Sequence, residues 1–394
     1  MFGATRAGGA SVWPEIENST LGKRGSFRRS FMGVTPMLQS SADAAFGHCP
    51  SRFVSVRRRL GVAVASAFVL LGLMAVNTAG AAPVGVPVPP GGQVVGAGQN
   101  SYGELELPTL PTGQTYTAIA SGRGFSLGLT STGQVVGAGL NAFGRLDVPE
   151  PPPGQTYTAI AAGDTHSLAL TSAGQVIGWG ATSYGMTDLP APPAGQTYTA
   201  IAAGEYYSLA LTSAGQIIGV GQDDDGQATA PAPPPGQTYT AIAAGDDTSL
   251  ALTSTGQVVN FGSYSFELPA EHNYTAIAIN NGALLTLTST GQVIGAGNNT
   301  AGQLNLPAAP AGQTYTAIAI NGTFSLALTN TGQIFGAGFN DAGQLDLPAP
   351  TTGHAYTAIA AGNQHSLAIS SPIAVPPTPC AGSACINQGP FGSS

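Results

Sequence analysis

A five-residue phrase, Tyr-Thr-Ala-Ile-Ala, occurs seven times in this chain of 394 residues and constrains its fold more than any other feature. Successive copies lie 41 residues apart, except for one interval of 35. A fixed period near 40 residues is typical of repeat architectures, in which each repeat is one small structural unit. The copies begin at Tyr116, Tyr157, Tyr198, Tyr239, Tyr274, Tyr315 and Tyr356.

Each repeat is predicted to contain four short strands and no helix. In the unit 198–238, the segments 198–203 and 208–212 are rich in alternating apolar and small residues, and each is followed by a glycine-containing turn. A third strand is predicted at 216–221, and a short fourth segment ends at Pro231, before a run of prolines. Four antiparallel strands in about forty residues are typical of a propeller blade.

The two ends of the array are complementary half-units. It begins with a lone second half at 93–108 and ends with a lone first half at 356–370. The sequence therefore predicts an all-β fold over 93–370: a seven-bladed β-propeller of four-stranded blades, closed by the N- and C-terminal half-blades so that no sheet edge stays open. A solenoid is the alternative, but it needs capping units and gives no reason for complementary halves.

The repeat resembles that of the regulator of chromosome condensation family. The likeness is carried by the segments 163–171 and 174–180 and by Gly185, and it recurs in all seven units. It implies the seven-bladed propeller of that family. The founding member is a nuclear nucleotide-exchange factor on chromatin, but shared architecture does not transfer function.

This chain departs from the family at two positions. The family's tryptophan is kept only at Trp179, and its histidine only at His166 and His365. Smaller residues take the other tryptophan positions, and we expect the histidine positions to be packing sites. Aromatic residues replace the histidine at Phe125, Tyr207 and Phe324.

The charge distribution argues against nucleic-acid binding. Beyond Pro83 the chain has 16 acidic residues, no lysine, and only Arg123 and Arg145 as cations, leaving a net charge of −14. Such a surface repels phosphate backbones. It favours solubility and a partner with a basic patch.

The N-terminal region is predicted to direct export. Three arginines at 57–59 precede an uncharged apolar run at 60–76, and small residues at 79–81 suit a signal peptidase. We expect a signal peptide at 57–82 and a mature chain that is secreted or held in a bacterial cell envelope. An uncleaved anchor is the alternative, because the run approaches the roughly 20 residues that span a bilayer.

The remaining segments outside the repeats are predicted to be unstructured. Residues 1–56 are an extension or a wrongly assigned start, 83–92 a linker, and 371–394 a flexible tail rich in proline, glycine and serine. Cys380 and Cys385 could close a small disulfide loop in an oxidising compartment, with free thiols as the alternative. Metal binding needs more ligands than this tail contains.

One end of the propeller is predicted to bind a protein partner. In an up-and-down blade the loops after the first and third strands emerge on the same face, and here these loops hold most of the aromatic and charged variation. Such a surface is plausible for protein binding. The predicted contact residues are Tyr102, Phe143, Asp164, Tyr184, Glu205, Tyr206, Asp224, Asp246, Asp247, Tyr264, Phe339 and Asn340.

No metal site or cofactor is predicted. The run 223–226 invites a calcium interpretation, but the alternating ligand spacing of a calcium loop is absent, which favours a solvated turn. We therefore expect an exported, non-catalytic, monomeric propeller that binds a protein.

Two other functions are alternatives. An enzyme could use Asp164, His166 and Ser167, but this serine recurs within a strand of other units, as a structural residue would. Inhibition of an extracellular enzyme is the second alternative, because 343–348 is similar in scaffold to the propeller-type β-lactamase inhibitor protein.

Overall fold

A computed structural model describes residues 92–373, which form an all-β propeller of seven antiparallel sheets with three strands each. The strands are β1 (Gln93–Gly98), β2 (Tyr116–Gly122), β3 (Phe125–Thr130), β4 (Val135–Gly139), β5 (Tyr157–Ala162), β6 (His166–Thr171), β7 (Val176–Gly180), β8 (Tyr198–Ala203), β9 (Tyr207–Thr212), β10 (Ile217–Gly221), β11 (Tyr239–Ala244), β12 (Thr248–Thr253), β13 (Val258–Gly262), β14 (Tyr274–Asn280), β15 (Ala283–Thr288), β16 (Val293–Gly297), β17 (Tyr315–Ile320), β18 (Phe324–Thr329), β19 (Ile334–Gly338), β20 (His354–Ala361) and β21 (His365–Pro372). Two single turns of 3-10 helix follow β4 and β7, at Ala142–Gly144 and Ser183–Gly185.

The two half-units at the ends of the array share one sheet. Six sheets are built from three consecutive strands, whereas the seventh has the order β1-β21-β20. The first strand pairs antiparallel with the last, in register from Gln93 opposite Ser370 to Gly98 opposite His365. The two half-units, which were predicted to be complementary, are therefore joined by a ladder of backbone hydrogen bonds.

Each sheet has three strands, and the segment predicted as a fourth strand is not part of the ladder. After β1, Leu105 packs so closely on the third-strand glycine that a Cβ at Gly96 would lie 2.7 Å from its Cδ2 atom. The segment then reaches Pro108, the first of the prolines, which lack the N–H that a ladder requires.

The core lies between neighbouring sheets. The middle strands β3, β6, β9, β12, β15 and β18 are buried along their whole length, because each is covered on both faces. Leucine and isoleucine side chains fill the space between neighbouring sheets, and the small alanine side chains let these sheets approach each other, as the alternating pattern predicts. The first and last sheets share such a core, which includes Ile119, Leu367 and Ile369.

The repeated tyrosine ties each unit to the one before it. Its ring is buried, and its hydroxyl donates a hydrogen bond to a proline carbonyl at the end of the preceding unit. A phenylalanine would leave that carbonyl without its partner. Six pairs span 2.6 to 3.1 Å, and Tyr356 donates to Pro348 in the same way: Tyr116–Pro108, Tyr157–Pro149, Tyr198–Pro190, Tyr239–Pro231, Tyr274–Pro269 and Tyr315–Pro307.

The predicted packing role of the histidine positions is confirmed. Phe125, Tyr207 and Phe324 are fully buried, and so are His166 and His365. Each polar member reaches the next sheet. His166 Nε2 lies 2.8 Å from Ser208 Oγ, His365 Nε2 lies 3.1 Å from Ser126 Oγ, and Tyr207 Oη lies 2.8 Å from Ser249 Oγ.

The residues that the short unit lacks fall between strands. Six residues are missing between the end of β13 at Gly262 and the start of β14 at Tyr274, compared with the other units. The strand cores on either side keep the lengths seen elsewhere.

Several predictions concern residues outside the described part of the chain. The signal peptide at 57–82, the extension at 1–56, most of the linker at 83–92 and nearly all of the tail at 371–394, with Cys380 and Cys385, stay predictions. Within residues 92–373, no helix is long and apolar enough to cross a membrane.

Candidate functional site

The loops after the first and third strands meet at one end of every sheet, which we call the loop face. The first residue of each third-strand loop donates its backbone N–H to a carbonyl in the loop between the first and second strands, over 2.8 to 3.0 Å. The seven pairs are Gln99–Gln364, Leu140–Gly124, Ala181–Thr165, Gln222–Tyr206, Ser263–Asp247, Asn298–Gly282 and Phe339–Thr323.

Nearly all large apolar side chains exposed on the described structure lie on the loop face. Seven such residues are exposed between positions 92 and 373, and only Ile373, at the end of the described chain, lies outside these loops. Their exposure ranges from 36% for Tyr206 to 68% for Phe143. The six are Tyr102, Phe143, Tyr184, Tyr206, Tyr264 and Phe339, which are all the aromatic residues of the predicted contact set.

Two of these aromatics have a left-handed backbone. Phe143 has a φ of 64° and Tyr184 a φ of 58°, and each is the middle residue of a 3-10 turn that ends in a glycine. A bulky residue is rarely found there, because its Cβ crowds the neighbouring carbonyl. Ala301 and Ala342, at the corresponding position of two other units, do not adopt a positive φ. Backbone strain of this kind is concentrated at functional sites.

The exposed aromatics pack across the boundaries between units. The rings of Tyr184 and Tyr206 meet edge to face at 6.1 Å between centroids. Tyr264 lies over Gly282 of the following sheet, where a Cβ would be 3.4 Å from Cζ, and its ring is 6.3 Å from that of Phe266. The aromatics are thus held by neighbours while one side of each stays in solvent.

The side chain of Asn340 stabilises its own loop. Its Oδ1 accepts from the N–H of Leu345 over 2.7 Å, and its Nδ2 donates to Asp346 over 2.8 Å. Asn100, Asn141 and Asn299 make the same pair of bonds. The signal was present in the sequence as an Asn followed six residues later by Asp, Glu or Asn, but sequence reasoning missed it.

The acidic run at 223–226 follows the same scheme. Asp223 accepts from the N–H of Ala228 over 2.7 Å and from the hydroxyl of Thr229 over 2.5 Å. Asp224 is exposed and accepts from Gln222 over 3.0 Å. The first carboxylate of this run therefore has a structural role.

A second structural position, which sequence reasoning also missed, lies behind the exposed loops. The residue after each loop glycine is buried, and we call it the latch position because it connects neighbouring units. Its members are Glu104, Arg145, Met186, Gln227, Gln303 and Gln344. Its backbone carbonyl accepts from the serine hydroxyl of the next sheet in five units, as in the 2.9 Å bond from Ser167 to Arg145.

Arg145 shows how the latch position connects two units. Its guanidinium donates to the carbonyl oxygens of Arg123 and Asp164 over 2.8 and 2.9 Å. It also lies 5.3 Å from the ring centre of Phe125 and 5.8 Å from that of Phe143, within cation–π range. In another unit the Gln303 amide donates to Gly322 over 3.0 Å.

Glu104 also occupies the latch position, but its carboxylate can only accept hydrogen bonds, whereas Arg145 and Gln303 donate. Its Oε2 accepts from the N–H of Tyr102 over 2.7 Å, but its buried Oε1 has no partner among the described residues. Burial raises the pKa of this carboxyl. A carboxylate cannot donate as Arg145 and Gln303 do, so the protonated form suits this site better.

The shortened unit lacks a latch residue, and the next sheet is adapted to that. Leu284 stands where five other units have the serine that donates to the latch carbonyl. A cavity of about 540 Å³ lies beside the loop after β13, lined by residues that include Tyr264, Phe266 and Asn281. An apolar side chain thus replaces a donor whose acceptor is missing.

Acidic side chains lie in consecutive turns of the loop face. Asp164, Glu205 and Asp246 occupy corresponding positions in three units. Arg123 forms a 3.3 Å salt bridge with Asp164 at one end, and Asn280 donates to Asp246 over 2.8 Å at the other. Burial, and then repulsion from Asp164, Glu205 and Asp247, raises the pKa of Asp246 to about 7.

The three residues of the enzyme alternative do not converge. His166 points to Ser208, Ser167 donates to the carbonyl of Arg145, and Asp164 pairs with Arg123. Burial lowers the pKa of His166 to about 4, which keeps the imidazole neutral. The histidine and the serine therefore serve packing between neighbouring units.

Comparison with known proteins identifies the repeat. The model of the regulator of chromosome condensation (RCC1) repeat matches residues 116–145 and 157–185. No curated protein sequence matches the chain significantly.

Solved structures share the fold at low sequence identity. Prp20p from Saccharomyces cerevisiae superposes with a TM-score of 0.61 at 18% identity, covering 72% of this chain and 92% of that one. Human WBSCR16 gives 0.56 at 18% identity, with 67% and 88% covered. The CRINKLY WD40 ectodomain of the Arabidopsis thaliana receptor kinase ACR4 gives 0.52 at 20% identity, with 64% and 88% covered.

Proposed function

Because the chain is a propeller built from regulator of chromosome condensation repeats, we propose that it is an exported, non-catalytic protein that binds a protein partner through its loop face. One observation carries the proposal: six of the seven exposed large apolar side chains of the described structure lie in these loops. Tyrosine and phenylalanine are enriched at protein interfaces, where they supply much of the binding free energy.

The strained aromatics support a role beyond folding. An exposed ring contributes little to stability, and a left-handed backbone costs of order 1 kcal/mol or more at a bulky residue. Phe143 and Tyr184 combine both properties. Selection for contact with a partner explains why such residues persist at these positions.

The propeller is proposed to be a closed ring in which the segment after each third strand serves as a fourth, irregular edge. The ladder between β1 and β21 supports closure. So does the bond from His365 in the last sheet to Ser126 in the first full sheet. Closure completes the sheet shared by the two half-units, so that neither end of the array is left as an incomplete sheet.

Export, a monomeric state and a protein partner belong to the same proposal. The predicted signal peptide and the net charge of −14 beyond Pro83 support an exterior location and argue against nucleic acid as partner. Among proteins of similar fold, the plant neighbour is an ectodomain, and the yeast neighbour is described with its binding to Gsp1p and histones.

The test is affinity capture from the envelope and medium of the source cell. We compare the wild-type chain with a triple variant in which Tyr102, Tyr184 and Tyr206 are replaced by alanine. The matched control replaces three exposed residues at the opposite end, Gln175, Gln216 and Gln257, by alanine. A protein retained by the wild type and the control but lost by the tyrosine variant is expected. Equal retention by all three chains would overturn the proposal.

A further inference from the structure

The loop face is strongly acidic and has very little positive charge of its own. Between residues 92 and 373, the two arginines are the only basic residues besides histidine, against 16 acidic residues. Arg145 is buried and its guanidinium is occupied by backbone carbonyls. Arg123 is therefore the single exposed cation of the described structure.

The chain itself shows how this face binds a guanidinium. Arg123 extends from its turn to the carboxylate of Asp164 in the next turn, over 3.3 Å. Glu205 and Asp246 continue the series in the two following turns, but no arginine of the described residues pairs with either. Three carboxylates in consecutive turns thus share one cation, at one end of the series.

Exposed aromatic rings lie beside the two carboxylates that have no arginine. Tyr206 is adjacent to Glu205 in the chain, and that carboxylate raises the pKa of Tyr206. Tyr184 meets Tyr206 edge to face and is 66% exposed. Arginine stacks on tyrosine and forms charge-assisted hydrogen bonds with carboxylates, so rings and carboxylates together suit a guanidinium better than an ammonium.

We propose that the partner presents an arginine-bearing segment to the surface formed by Tyr184, Glu205, Tyr206 and Asp246, where its guanidinium repeats the contact that Arg123 makes with Asp164. The inference rests on the proposed function and adds the chemistry of the partner. The charge complementarity and the exposed Tyr184–Tyr206 pair select this occupant over an acidic or purely apolar one.

The first test titrates the full chain with a hexa-arginine peptide, and with hexa-glutamate as the charge-reversed probe, at low ionic strength. The test variant combines Glu205→Gln with Asp246→Asn at pH 8, above the pKa of about 7 of Asp246, so that it removes two carboxylate charges without changing side-chain volume. The matched variant combines Glu150→Gln with Glu271→Gln, two exposed acidic residues in segments that lead into the first strands, away from the loop face.

We expect saturable binding of hexa-arginine and none of hexa-glutamate, with about a tenfold loss of affinity in the test variant and little change in the matched variant. An equal loss in both variants would mean that the peptide senses only the total charge, and would overturn the inference. Failure of hexa-arginine to bind more tightly than hexa-glutamate would also overturn it. Circular dichroism of each variant establishes that the fold is intact.

The inference and the proposed function fail in different ways. If the captured partner is lost by the tyrosine variant but kept by the Glu205 and Asp246 variant, the loop face binds a protein but not through an arginine. If the tyrosine variant keeps the partner, the proposed function fails, whatever the peptide titration shows.

Discussion

The two ends of the propeller are made from the same repeat but differ in what their loops do. At the end opposite the loop face, each turn between the second and third strands repeats the same bonds, such as the 3.1 Å contact from Gln134 N–H to Thr130 Oγ1. On the loop face the features that repeat are internal contacts, namely the hydrogen bonds of the loop asparagines and the buried latch position. The exposed positions change from unit to unit, as expected where a surface is free to serve recognition.

The largest expected effect comes from removing the latch. Arg145→Ala should destabilise the fold by about 3 kcal/mol, because the carbonyls of Arg123, Ala142 and Asp164 lose a buried charged donor and two rings lose a cation. Urea denaturation of the wild type and the variant measures the change. Arg145→Gln, which places the residue of Gln303 at this position, should recover part of the loss. Unchanged stability in Arg145→Ala would contradict the structural role.

Removing one repeated tyrosine hydroxyl tests the structural role of the end opposite the loop face. Tyr157→Phe should cost about 1 to 2 kcal/mol, since the carbonyl of Pro149 loses its 2.8 Å donor in a partly buried site. Tyr184→Phe on the loop face is the matched control, and its stability should not change because the ring is exposed. Equal effects of the two substitutions would erase the distinction between the two ends.

Glu104→Gln is expected to stabilise the protein by about 1 kcal/mol at neutral pH, since an amide can donate where Oε1 has no partner. Burial raises the pKa of Glu104 in the folded state, so its contribution to stability is full in acid and falls as the pH rises through the folded pKa. The gain should therefore be large at pH 8 and disappear near pH 4. Urea denaturation at both values measures it, and a gain independent of pH would argue against a titrating Glu104.

The smallest expected effect is that of Tyr184→Gly, which separates the influence of this residue on stability from its role in partner binding. Tyr184→Gly should stabilise the fold by about 0.5 to 1 kcal/mol, because glycine adopts a φ of 58° without strain, and it should weaken partner binding. Ala342→Gly is the control, since that position has no positive φ and should lose stability instead. Thermal denaturation and affinity capture read the two effects. Destabilisation by Tyr184→Gly would show that the ring supports the fold.

Much of the architecture followed from periodicity. The strand positions, the packing role of Phe125 and His166 and the pairing of the half-units were predicted because a repeat shows which positions stay constant. The three-stranded ladder was not predicted, since nothing in the segment after β1 shows that its backbone forms no ladder bonds. The latch was missed because its members include Glu104, Met186 and Gln303, which share no chemistry in their side chains. What they share is a buried carbonyl, and most residue types provide one.

The sequence by itself determined the all-β repeat, its seven units, the loops that carry variation and the acidic charge, because these depend on spacing and composition. Only the tertiary structure decided which loop residues face solvent and which are used internally. Asn340 and Tyr184 are both loop residues, yet the amide is bonded within its own loop while the ring is exposed on a left-handed backbone. That difference depends on hydrogen bonds and close contacts across folded loops, and such contacts exist only once the sheets have been placed side by side.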